Sequence, residues 1–378
     1  MAFLFRNPYL ALSALLALSV ACGESSSSTT NRGPVAAPDA LGSYAVGHTA
    51  FTAEDASRDG RSVLIDVWYP VDEVDAVDEP KTEYPLLGAI SLTSKVAVDG
   101  LPVASAEGPL ALLVFSHGFG GINTQSTQLM EFLASHGFIV ASPEHTGNTA
   151  FDTSDEMPQL QRVPDVSLVI DRLFERSNTA GDAFEGRVDS SKVGALGHSF
   201  GGMTAMGTVA GLDGTGPDPR VKAIGVIAGS VGESRFSDEA LSSVDEPTIL
   251  LVGTLDTGAL ENHRHAFARM PNAGALFNVE IEDANHTHFA NVCDLGGLLF
   301  ELGFTQDNWA NLGAQALVQP YNDTCTEDVF PIAEAHRLQS LYMAAHFKRY
   351  LHDETGYDAY LSTEYAEENE PAVSFEAQ

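Results

Sequence analysis

The stretch Gly197-His198-Ser199-Phe200-Gly201-Gly202 constrains this chain more than any other. Before it, Lys192-Val193-Gly194-Ala195-Leu196 is short and apolar and predicts a buried strand. After it, Met203 to Ala210 has no proline and is rich in Ala and Met, which predicts a helix. A serine at so tight a strand-to-helix turn needs a strained backbone, with glycine neighbours to let the elements close. Its hydroxyl is left exposed above the sheet, where the free N–H groups of the following helix favour developing negative charge. A Gly/Ser-rich turn with no chemistry has the same local pattern, so the rest of the chain must decide.

The flanking sequence alternates strand and helix. Ala45 to Phe51 and Arg61 to Tyr69 predict an antiparallel hairpin, and Asp72 to Val98 is acidic and irregular. Further strands are expected at Ala111 to Phe115, Phe138 to Ala141, Val221 to Ala228, Thr248 to Val252 and Leu276 to Ile281. Helices are expected from Thr124 to Ser135 and from Pro164, where Val166, Val169, Ile170 and Leu173 share one face. This pattern predicts the α/β class: a mostly parallel, doubly wound sheet behind an N-terminal antiparallel hairpin, in one domain over residues 41–352.

A serine hydroxyl needs a base, an orienting acid and an oxyanion hole to act as a nucleophile. In a fold of this kind the order is serine, acid, histidine. Asp256 follows the strand ending at Val252, and His286 follows the strand ending at Ile281, with His288 as the alternative base. The glycine-rich run Ser116-His117-Gly118-Phe119-Gly120-Gly121 follows an early strand, so the oxyanion donors are expected to be the backbone N–H groups of Phe119 and Phe200.

Ser116 to Gly120, Leu133-Ala134-Ser135-His136-Gly137-Phe138-Ile139-Val140-Ala141 with Glu144-His145, the Ser199 turn and His286-Thr287-His288-Phe289-Ala290 resemble the plasma-type platelet-activating-factor acetylhydrolases. They are also similar to the bacterial "predicted dienelactone hydrolase" group, over roughly residues 45–295. The resemblance implies the α/β-hydrolase fold, Ser199 as nucleophile, His286 as base and ester hydrolysis through an acyl-enzyme, with no metal and no cofactor. Two departures stand out. Dienelactone hydrolases typically use cysteine where this chain has Ser199. Acetylhydrolases place the acid after the strand that follows the elbow, where this chain has Ile227-Ala228-Gly229-Ser230; Asp256 instead resembles the acid of cutinase-like polyester hydrolases. The expected substrates are small-molecule, lipid or polymer esters. A non-catalytic surface lipoprotein on the same fold and a serine peptidase are the competing readings.

Residues 1–21 have the build of an export signal, with Arg6 ahead of a short apolar core. Small residues before Cys22 resemble a lipoprotein signal, which would make a lipid on Cys22 the sole membrane attachment; ordinary cleavage after Ala21 would leave a periplasmic or secreted chain. Residues 22–40 then read as a Ser/Thr-rich tether. The other two cysteines, Cys293 and Cys325, form an even pair in an exported chain and are expected to be a disulfide. Between them, residues 294–324 are too long for a simple connection and too apolar for a solvated loop, so they are expected to form a flap over the acyl pocket, with Phe300 and Trp309 facing it; a small helical pair packed on the sheet far from the serine is the alternative. Asp353 to Gln378 carries eight acids and no Lys or Arg and reads as a disordered acidic tail. The chain has 52 Asp and Glu against 19 Lys and Arg, net −33, which excludes nucleic acid as a partner.

Overall fold

A computed structural model describes residue 35 and residues 37–87, 90–105 and 108–378. The export signal and Cys22 lie outside the described residues. The strands are β1 (Ala45–Asp55), β2 (Arg61–Val71), β3 (Lys81–Leu87), β4 (Ile90–Asp99), β5 (Leu110–Ser116), β6 (Ile139–Glu144), β7 (Val188–His198), β8 (Val221–Ile227), β9 (Thr248–Gly253), β10 (Leu276–Ile281) and β11 (Val373–Ala377). They form one sheet in the order β11-β10-β9-β8-β7-β5-β6-β2-β1-β4-β3. From β6 to β10 every neighbouring pair is parallel. The expected hairpin is present as β1 and β2, in register from Ala45 opposite Val71 to Asp55 opposite Arg61.

Buried strands need apolar residues on both faces, and β5 supplies them alternately. Its Leu113 and Phe115 join one core layer with α1 (Thr127–Ser135), while Leu112 and Val114 join the other with α2 (Gln159–Ser177) and α3 (Phe200–Ala210). Then follow α4 (Asp238–Ser242), α5 (Thr257–Arg269), α6 (Val292–Glu301), α7 (Gln306–Trp309), α8 (Val318–Thr324), α9 (Ile332–Leu351) and α10 (Thr363–Asn369). Among the described residues no helix is long and apolar enough to cross a membrane. The central strand β5 pairs with β6 on one side and β7 on the other. The loops leaving β5 and β7 therefore diverge at a topological switch, where such sheets open a crevice at their carboxyl ends.

Four expectations need correction. The segment from Asp72 to Val98 is not irregular: β3 and β4 pair antiparallel at the sheet edge, and Pro85 is tolerated on β3 because that outermost strand has no partner on its other side. The second helix begins at Gln159 and carries Pro164 inside it. The turn ahead of the proline buries Arg162 and Val163, and that anchoring sustains the helix past the lost backbone bond. The tether does not run free to residue 40, since Ala37 packs on the core and Ala40 O accepts from His136 Nε2 at 2.9 Å. The acidic tail is ordered: β11 pairs antiparallel with β10, and Tyr357, Tyr360, Leu361 and Phe375 are buried. Its charge is met by bases of α9, with Arg349 Nε 2.5 Å from Asp358 and Arg337 NH1 3.1 Å from the buried Glu370.

Candidate active site

Ser199 directly follows β7 and caps α3 with φ 61° and ψ −120°, the strained backbone that the sequence pattern requires. Closeness explains the glycines around it. A Cβ on Gly201 would fall 1.7 Å from the carbonyl oxygen of Ser116, and one on Gly197 would fall 2.4 Å from the Gly201 backbone. Asp256 lies just beyond β9 as the N-cap of α5, and His286 opens the single turn after β10. The three side chains meet: His286 Nδ1 donates to Asp256 Oδ2 at 2.5 Å, and Ser199 Oγ donates to His286 Nε2 at 2.8 Å. Burial pushes the Asp256 carboxyl up, but the hydrogen bond and charge of His286 outweigh it and hold the group below its ordinary value.

His288 is placed differently. Its Nε2 donates to the Phe330 carbonyl at 2.8 Å and its Nδ1 accepts the Asn285 N–H at 3.0 Å, so it caps the turn that carries His286. The loop after β5 abuts the serine, for a Cβ on Gly118 would lie 3.4 Å from that of Ser199. Among the described residues neither the Phe119 nor the Phe200 N–H donates to a protein acceptor. The two rings pack edge to face, 5.7 Å apart.

A cavity of about 310 Å³ opens over Ser199 and His286. Leu86, Ile122, Phe151, Leu295, Leu299 and Leu317 give it apolar walls, and no Asp, Glu, Lys or Arg lines it among the described residues. The segment between the cysteines supplies one wall. Cys293 and Cys325 are disulfide-bonded as the cysteine count predicts, with Cα atoms 5.5 Å apart. The end of that segment is tied to both neighbours of His286, since Asn285 Nδ2 donates to Asp323 O and the hydroxyls of Thr287 and Thr324 meet, each at 2.5 Å. Phe300 and Trp309 do not face the cavity. They pack on each other and on Tyr321 at 5.2–5.6 Å, with Trp309 buried at the centre of the cluster and Phe300 exposed at its rim.

Sequence reasoning missed the groups beneath the loop after β5. Arg162 is fully buried; it donates to the carbonyls of His117 and Gly118, the latter at 3.0 Å, and to Asn148 Oδ1 at 2.5 Å. Burial pulls its guanidinium down to about 9, still a cation near neutral pH, and its charge lies 4.7 Å from the Phe200 ring centre. Behind it Asp165, His145 and Ser116 form a buried chain, at 2.9 Å per link. One arginine inside a helical pattern gives no signal of this role.

Residues 98–220 match the family model described as Chlorophyllase, a stretch that holds the Phe119 loop and the Ser199 turn but ends before Asp256. Cutinase 2 of Thermobifida cellulosilytica is 29% identical over 180 residues, covering 47% of this chain and 60% of that one. Platelet-activating factor acetylhydrolase of Bos taurus is 28% identical, covering 47% of this chain and 53% of that one. The chain thus spans only about half to three-fifths of the length of these curated relatives. A solved ferulic acid esterase from Streptomyces cinnamoneus superposes with a TM-score of 0.59 at 22% identity, covering 85% of this chain and 94% of that one. The fold is that of the α/β hydrolases, with the mixed sheet and flanking helices described above.

Proposed function

We propose that this chain is an exported serine hydrolase of carboxylic esters, working through an acyl-enzyme. The observation that carries the reading is the unbroken chain from Asp256 through His286 to Ser199, at 2.5 and 2.8 Å, beside two backbone N–H groups without acceptors. In this reading His286 takes the Ser199 proton as the oxygen attacks the ester carbonyl, and Asp256 holds the imidazole in its Nδ1–H tautomer. The Phe119 and Phe200 N–H groups bind the oxyanion, with the Arg162 charge behind the loop adding to the field. The imidazolium then protonates the leaving alcohol, and the neutral ring activates water for deacylation.

The names of the cutinase and acetylhydrolase relatives support ester substrates, and the apolar, charge-free cavity favours an uncharged acyl chain. Its volume lies at the low end for ligand pockets, which suits short or medium acyl groups of simple esters, lipids or polyesters. The segment 294–324 is then a flap that forms the acyl wall. Export, and a lipid on Cys22, rest on the N-terminal sequence. Ser199→Ala tests the reading: ester turnover and labelling by a fluorophosphonate should both vanish, with a rate loss on the order of 10⁶. A residual rate within about tenfold of wild type refutes it.

A further inference from the structure

Building on that reading, we propose that Gln125 and His198 are positioning residues: one directed chain of hydrogen bonds through them holds the oxyanion loop and the base in register.

The direction of every link is forced. The backbone carbonyl of His286 can only accept, so His198 Nε2 carries the hydrogen and donates to it at 2.8 Å. A neutral His198 then offers Nδ1 as an acceptor, and Gln125 Nε2 donates to it at 3.1 Å. That turns the Gln125 amide oxygen toward the Gly118 N–H, which donates at 3.1 Å. The Gln125 carbonyl in turn accepts the Asn291 N–H at 2.7 Å, tying the same residue to the start of the flap. Burial lowers His198 to about 3, so the ring stays neutral and the chain keeps its sense.

The seat of Gln125 is built for it. A Cβ on Gly121 would lie 2.3 Å from the amide oxygen, so that position accepts no side chain while Gln125 is in place. The chain has two consequences for the reaction. Gln125 occupies the Gly118 N–H and so withholds it from an oxyanion, while the N–H of Phe119, the next residue in the loop, has no protein acceptor among the described residues. At the other end His198, the residue before the nucleophile, fixes the backbone of the base, whose ring lies 4.8 Å from its own. Oxyanion donor and base are thereby referred to a single point. Registration of this kind matters most when charge develops, so it acts on the transition state and not on ground-state binding.

The test uses the full chain with Gln125→Glu, Gln125→Leu, His198→Phe, the Gln125→Leu/His198→Phe double variant, and Ser199→Ala as control. Each single change should lower kcat by about tenfold to 10²-fold with KM held within about twofold. The double variant should lose no more than the worse single one, because the chain is already broken. Gln125→Glu keeps the shape and can accept from Gly118 but has no N–H for His198, so it should fall with Gln125→Leu. Full activity in Gln125→Glu, additive losses, or raised KM at constant kcat would overturn the proposal. Nitrogen NMR of labelled histidine reads the chain without turnover: His198 should be the neutral Nε2–H tautomer near neutral pH, with its Nδ1 resonance shifting in Gln125→Leu. An Nδ1–H tautomer in the wild type overturns the proposal as well. Absence of Ser199-dependent turnover in the wild type counts instead against the hydrolase reading, and the tautomer then decides the chain of hydrogen bonds.

Discussion

Truncating Leu299 to Ala should move the acyl preference of the site toward longer chains. Leu299 lies on α6, is 3% exposed and lines the cavity that holds Ser199. The change removes about three carbons of wall, and each acyl methylene that enters the space is worth about 0.8 kcal/mol, or roughly fourfold in kcat/KM. Esters two or three carbons beyond the wild-type optimum should therefore gain on the order of tenfold to sixtyfold in kcat/KM. Stability should fall by about 2–3 kcal/mol, the low end for a buried leucine, because the new space opens on an existing cavity. Trp309→Ala is the control: it removes the buried centre of the flap's aromatic cluster and should lower the melting temperature while leaving the optimum nearer its original length. The assay is a p-nitrophenyl ester series from acetate to dodecanoate, run with thermal melts. An unchanged profile in Leu299→Ala, or a shifted optimum in Trp309→Ala alone, would refute the assignment of the wall.

His286→Ala should be inactive, while His288→Ala should keep its chemistry and lose about 1 kcal/mol of stability as a lost cap; ester assays and melts separate the two, and the reverse pattern moves the base to His288. Reducing Cys293–Cys325, or replacing both with Ala, should cost roughly 3–4 kcal/mol in the loop-entropy account and broaden the acyl-length profile, checked by denaturant melts and the same ester series. Acid should destabilise the fold before the carboxylates titrate. Burial holds His145, His263 and His346 down to about 4, 4 and 3 from an ordinary 6.5, so the unfolded chain binds protons that the folded one refuses. Their stability is complete above about pH 6.5 and is lost as pH falls toward 4, on the order of a few kcal/mol each. A melting temperature that stays level between about pH 7 and 4.5 would contradict this.

The positions of Ser199, Asp256 and His286 are legible in the sequence because each follows the carboxyl end of a strand whose apolar run is unmistakable. What the sequence hides is contact between distant parts. The eight acids of the tail look solvated in isolation, and only α9 reveals the arginines that answer them. Phe300 and Trp309 look like pocket residues by size, yet the smaller Leu295 and Leu299 face the cavity. Gln125 and His198 carry no local signal at all, since they are 73 positions apart and their roles lie in the direction of hydrogen bonds. Pro164 misplaces a helix start for the same reason: burial of Arg162 ahead of it is a tertiary fact.

The edge pairing of β10 with β11 also sets the order in which this protein can assemble. Phe277 finds its partner in Ala377, one hundred positions later, after the whole flap and α9 have been laid down. Closing so long a loop costs little more than closing a shorter one, but pairings of such sequence separation are slow to form. Through that interval the outer edge of β10 stands open, with a row of unmet backbone groups that another copy could pair with. Mutual repulsion is the safeguard the composition provides: at net −33, nascent copies meet each other as strong polyanions. Changes that neutralise surface acids should therefore be felt first as lost folding yield at high concentration, in protein whose finished molecules melt as before.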